Sequence, residues 1–127
     1  MITCKTLANS KPTISNGKCE IPIEAAGFKG GQATGFNPVE LMEAAVASDM
    51  TATLQLYAET EGYPFKGVSV TVSLDDTSLT NAVFKYSVKL DEELDDRTTK
   101  LFMQSVFSCR VRQTLAKRTS IQYSTKI

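Results

Sequence analysis

The chain has 127 residues, in which 14 Lys and Arg balance 14 Asp and Glu, with three Cys, no Trp and no His. That length supports one hydrophobic core, so a single domain over residues 1–127 is expected, and the zero net charge lacks the basic footprint that nucleic acid binding needs. The missing imidazole rules out Ser-His-Asp and Cys-His pairs and His metal ligands, leaving carboxylate, Lys, Tyr or thiol for any proton or nucleophile chemistry.

The chain start, Met1-Ile-Thr-Cys4, lacks the basic opening and apolar run of a signal peptide, and no 18-residue apolar window follows. A cytoplasmic protein without a membrane partner is expected. Residues 2–7, 13–15 and 19–24 read as short strands, with a turn over residues 9–12 and a hairpin signal at Asn16-Gly17. Residues 25–38 read as a loop with four glycines. Within it, Gly27-Phe-Lys-Gly-Gly31 resembles a phosphate loop only superficially, because the Gly-Lys-Ser/Thr ending is missing.

Asn37-Pro38 opens the strongest helix, with Asn37 as N-cap, Pro38 in the first turn, and Glu40 and Glu43 toward the positive end of the helix dipole. Gly62 closes it. Between them Val39, Met42, Val46, Met50, Thr53 and Tyr57 recur at intervals that put them on one face, which is expected to be core. Residues 68–74 and 82–90 alternate apolar and polar side chains around a turn at Asp75-Asp-Thr-Ser, the pattern of an antiparallel hairpin with one wet face. A second helix is expected over residues 95–117, burying Leu94, Leu101, Phe102, Val106, Cys109 and Ala116, and a last strand over residues 120–127. Strands, helix, hairpin, helix and strand make an α+β domain with a largely antiparallel sheet.

Cys4, Cys19 and Cys109 are far apart, odd in number and without a CxxC pair, so no metal site, cofactor or disulfide framework is expected. Asp49 stands out. Its helical neighbours are Met42, Ala45, Val46, Ala52, Thr53 and Leu56, so a carboxylate projects from an apolar stripe and must be paired, protonated or open to a pocket. Three roles are open to it: a structural carboxylate held by a partner such as Arg110 or Arg112, a ligand-facing group, or a catalytic one. Cys109 can be a small buried hydrophobe or a nucleophile activated by Arg110 and Arg112.

Asn37-Pro-Val-Glu-Leu-Met-Glu-Ala-Ala-Val-Ala-Ser48 resembles the central-helix opening of the OsmC/Ohr family of stress-response proteins, and Cys109-Arg-Val-Arg-Gln-Thr-Leu115 resembles its C-P-V-x-x-T-L block. The resemblance spans nearly the whole chain. It implies an intertwined homodimer, with antiparallel sheets wrapped around two long helices and active sites at the interface. Family enzymes reduce organic hydroperoxides through a thiolate in the central helix, resolved by a second cysteine and activated by a Glu and an N-terminal Arg.

Aligned on that resemblance, Asp49 stands where the peroxidatic Cys belongs and Cys109 stands at the resolving position. A carboxylate cannot accept the peroxide oxygen as a thiolate does. Counting back ten residues from Asp49, to where the activating Glu belongs, lands on Val39, and the adjacent Glu40 points about 100° away around the helix. No Arg precedes Arg97. The expectation is therefore a stress-response family member without standard hydroperoxide reductase activity. An interface pocket for a small apolar or amphipathic ligand is expected at Met42, Val46, Met50, Phe102 and Val106, with Asp49 and Cys109 also in its lining. The alternative is a divergent thiol-dependent organic hydroperoxide reductase that uses Cys109 alone.

Overall fold

The computed structural model describes residues 1–6, 11–24 and 35–126. They fall into two compact units, Met1–Ala44 and Ala45–Ile127.

In the first unit three short strands, β1 (Thr3–Lys5), β2 (Thr13–Ser15) and β3 (Glu20–Pro22), form an antiparallel sheet in sequence order. Cys4 faces Ile14 across the first pair and Ile14 faces Ile21 across the second. The Asn16-Gly17 turn forms as its sequence demands: Gly17 takes a positive φ of 87°, and the Asn16 side-chain oxygen accepts the N–H groups of Lys18 and Cys19, both at 2.8 Å. Gly35 allows a close approach, since a Cβ there would lie 2.6 Å from the Pro22 carbonyl oxygen. That approach lets Ile23 bridge to Phe36 and the Glu24 N–H donate to the Phe36 carbonyl at 3.1 Å. Leu7, residues 9 and 10 of the expected turn at 9–12, and the glycine-rich segment Gly27–Gly31 lie outside the described residues.

Helix α1 (Pro38–Glu61) begins with a reciprocal cap: the Glu40 N–H donates to Asn37 Oδ1 at 2.9 Å, and the Asn37 N–H donates to Glu40 Oε2 at 2.8 Å. It ends at Gly62, whose φ of 68° turns the chain so that the Tyr63 N–H reaches the Ala58 carbonyl at 3.0 Å.

In the second unit the buried row of α1 is Val46, Met50, Leu54 and Ala58, spaced by four. The sequence reading continued that face through Thr53 and Tyr57; they are only partly buried, and Leu54 and Ala58 continue the buried row. Val39 and Met42, also assigned to the core face, are 43% and 45% exposed. Strands β4 (Val68–Asp75) and β5 (Val83–Leu90) pair antiparallel from Val68 opposite Leu90 to Asp75 opposite Val83. Val68, Val70 and Val72 turn toward the core while Ser69, Thr71 and Ser73 are exposed, the expected wet face. Phe102 of the following helix packs edge-on to Tyr57 at 5.2 Å and against Tyr63 at 5.5 Å between ring centroids.

Two expectations are corrected. The single helix over residues 95–117 is broken into α2 (Asp96–Ser105), a 3-10 turn (Val106–Ser108) and α3 (Arg110–Leu115). No strand forms over residues 120–126: Ile121 and Tyr123 are almost fully exposed, with no neighbouring strand among the described residues to take their hydrogen bonds. The mixed α+β class with antiparallel sheets stands.

Candidate functional site

The helix break creates the site. Ser105 and Ser108 turn their hydroxyls back onto the carbonyls of Phe102 and Ser105, each at 2.7 Å, and the Cys109 N–H bonds to Val106 at 3.2 Å in the tight 3-10 pattern. Cys109 then takes an extended conformation, φ −53° and ψ 126°, and α3 starts anew behind it. A thiol is a poor helix cap, and the Cys109 side chain makes no cap bond to α3. Asp49, from the middle of α1, supplies the acceptor instead: the Val111 N–H donates to Asp49 Oδ2 at 2.8 Å. This is the pairing that a carboxylate on an apolar stripe requires.

Cys109 itself is 1% exposed. Its Sγ lies 3.2 Å from Thr53 Oγ1, and the Thr53 hydroxyl donates to the Asp49 backbone carbonyl at 2.8 Å. Thr53 has one hydroxyl hydrogen, and with that hydrogen given to Asp49 its oxygen can only accept, so the Cys109 S–H is the donor. Burial pushes the Cys109 thiol above its ordinary value, and the negative Asp49 adds to the rise. The Arg112 guanidinium pulls the other way without reversing it, and accepting from the S–H lets Thr53 favour the protonated form. The arrangement therefore holds sulfur as a protonated thiol, the form that is neither nucleophile nor metal ligand. Cys4 and Cys19 are free and exposed.

Beside this network a cavity of about 190 Å³ is walled by Val46 and Met50 of α1, Phe84 and Tyr86 of β5, and Arg112, Leu115 and Ala116 at α3 and its end. Two of the residues expected to line a pocket, Val46 and Met50, lie on this wall. Phe102 and Val106 do not reach it, because both are sealed in the core with no exposure. Met42 is exposed and is not among the lining residues, and neither are Asp49 and Cys109, whose polar atoms are turned to the Val111 N–H and to Thr53. A second opening of about 200 Å³ lies over Thr53, Leu56, Tyr57, Thr60, Ser105 and Ser108.

Asp49 and Cys109 are brought together through Thr53 and the Val111 N–H. The expected partners of Asp49 are not the ones it has: among the described residues neither Arg110 nor Arg112 forms an ion pair with it, and the Arg112 guanidinium sits 4.4 Å from the Phe107 ring centroid. Sequence reasoning missed Thr53 as a polar link and Val111 as the donor. Thr53 lies four residues after Asp49 on the same helix face, a signal that was present; the Val111 contact depends on the break at Cys109, which carries neither Gly nor Pro. Among the described residues no cluster of metal-ligating side chains occurs.

The family model described as OsmC-like protein matches residues 30–124. No curated protein matches the chain. Among solved structures, an OsmC-like protein of Mycoplasma pneumoniae superposes with a TM-score of 0.70 at 18% identity, over 91% of this chain and 85% of the other. The organic hydroperoxide resistance protein OhrB of Bacillus subtilis gives 0.60 at 19% identity, over 91% and 89%. An OsmC-like protein of unknown function from Vibrio cholerae gives 0.65 at 13% identity, over 92% of each chain. At these identities the structures show a shared fold, and the match over residues 30–124, three-quarters of the sequence, shows that the chain belongs to the OsmC-like protein family.

Proposed function

We propose that this protein is a stress-response member of its family that does not work as a hydroperoxide reductase, and that instead holds a small apolar or amphipathic ligand in the cavity beside Asp49 and Cys109. The observation that carries the reading is the state of the thiol: Cys109 is buried, donates to Thr53 and neighbours a carboxylate. A peroxidatic or resolving sulfur must become a thiolate, reach its partner and pass through a sulfenic acid or disulfide. Asp49 occupies the position from which the family resemblance would bring the attacking sulfur, and it caps α3.

The same reading makes the protein a cytoplasmic homodimer without nucleic acid or membrane partners. No helix among the described residues is long and apolar enough to cross a membrane. Val39, Met42 and Leu56 are 43%, 45% and 63% exposed on α1, and apolar side chains on one long helix support cover by a second copy.

Steady-state turnover of cumene hydroperoxide with a dithiol reductant tests the reading, with an organic hydroperoxide resistance protein as the positive control. Background rates, unchanged in Cys109→Ser, are expected. Turnover comparable to the control and abolished in Cys109→Ser would overturn it in favour of a reductase that uses Cys109 alone.

A further inference from the structure

The cavity beside the site is apolar on every wall but one. Val46, Met50, Phe84 and Leu115 offer hydrocarbon, and the sole charged lining group is Arg112. Its guanidinium carbon lies over the Phe107 ring, 4.4 Å from the centroid, and the N–H donors of the group form the edge of a planar fork. The ion pairs found among the described residues are Lys11 with Glu24 and Lys85 with Asp75, so no carboxylate of these residues takes that edge. Tyr86, 40% exposed, also lines the cavity and carries a phenolic O–H donor.

From this we infer that the cavity takes a small monocarboxylate with an apolar tail, its headgroup paired with the Arg112 fork and its tail laid against Val46, Met50 and Phe84. A guanidinium matches a planar carboxylate through two parallel hydrogen bonds, which a hydroxyl or amine headgroup cannot reproduce. Size limits the tail. An apolar cavity of about 150 Å³ accommodates benzene, so the 190 Å³ here suits a chain of roughly six to eight carbons. The inference rests on the binding reading above and adds the chemistry of the headgroup.

Calorimetric titration of the native protein with octanoate and with octanol separates the two claims. Octanoate is expected to bind at least tenfold more tightly than octanol. Arg112→Gln should bring octanoate down to the octanol level, Arg112→Lys should recover part of the difference, and Ala116→Phe, which adds a ring to the cavity lining, should weaken both ligands. Circular dichroism establishes that each variant folds, and the comparison on the native protein needs no variant. Octanol binding as tightly as octanoate would overturn the carboxylate inference and leave the apolar pocket standing. Binding of neither would overturn both, and octanoate binding that survives Arg112→Gln and Ala116→Phe would place the ligand elsewhere and refute the inference.

Discussion

Asp49→Ala removes the acceptor that restarts the chain as α3. In the native protein the Val111 N–H donates to the Asp49 carboxylate at 2.8 Å, and the extended Cys109 offers no side-chain substitute. Losing a helix-capping acceptor costs about 0.5–2 kcal/mol, and hydrogen bonds to charged groups lie at the upper end of such values, so a loss of about 1–2 kcal/mol is expected for this partly buried pair. For a domain of this size that corresponds to a fall of roughly 3–10 °C in Tm. Asp49→Asn keeps an oxygen that can accept from Val111 and should cost less than about 1 kcal/mol. Urea denaturation of the native protein and both variants at neutral pH measures the difference. Asp49→Ala matching the native protein, or Asp49→Asn as destabilised as Asp49→Ala, would refute the capping role.

Asp49→Asn also removes the negative charge that helps to raise the Cys109 thiol, so in a Cys4→Ser, Cys19→Ser background the alkylation of Cys109 by iodoacetamide should move to lower pH than with Asp49 intact. Asp49→Cys should lose the cap and, on the proposed reading that sets Val39 at the Glu position, still give no peroxidase comparable to family enzymes in the cumene hydroperoxide assay, since no Arg precedes Arg97. Leu54 is fully buried, and Leu54→Ala should cost about 2–5 kcal/mol in urea denaturation. Asp75 is held down to about 2 by its hydrogen bond to Lys85 at 2.9 Å and by Thr77, against an ordinary 3.8. Its depressed value means that its stabilising contribution is complete above 3.8 and disappears as the pH falls toward 2. In acid denaturation followed by circular dichroism, Asp75→Asn should therefore narrow the gap between pH 5 and pH 2 relative to the native protein.

Much of this was legible in the residues because the signals were local. Asn37-Pro38 with Glu40 specified the start of α1, Gly62 specified its end, Asn16-Gly17 specified a turn, and alternation of apolar and polar residues specified the antiparallel hairpin. The break at Cys109 was not legible, since no Gly or Pro marks it and Ser105 and Ser108 reveal it only when their hydroxyls turn onto the backbone. The pocket failed in part for a related reason. Phe102 and Val106 have the composition of a cavity wall, but aromatic packing with Tyr57 and Tyr63 seals Phe102 into the core, while Phe84, Leu115 and Arg112 come from elements that periodicity on α1 cannot address. Asp49 was legible as a misplaced charge. Its partner was not, because a backbone N–H has no side-chain signature.

The central claim is that Cys109 is held as a thiol that does not reduce peroxides, and its direct measurement is mass spectrometry of the Cys4→Ser, Cys19→Ser protein treated with cumene hydroperoxide and a sulfenic acid trap. The account predicts that Cys109 remains unmodified over the interval in which a family hydroperoxide resistance protein is fully trapped. Stoichiometric trapping at Cys109 within that interval would contradict it.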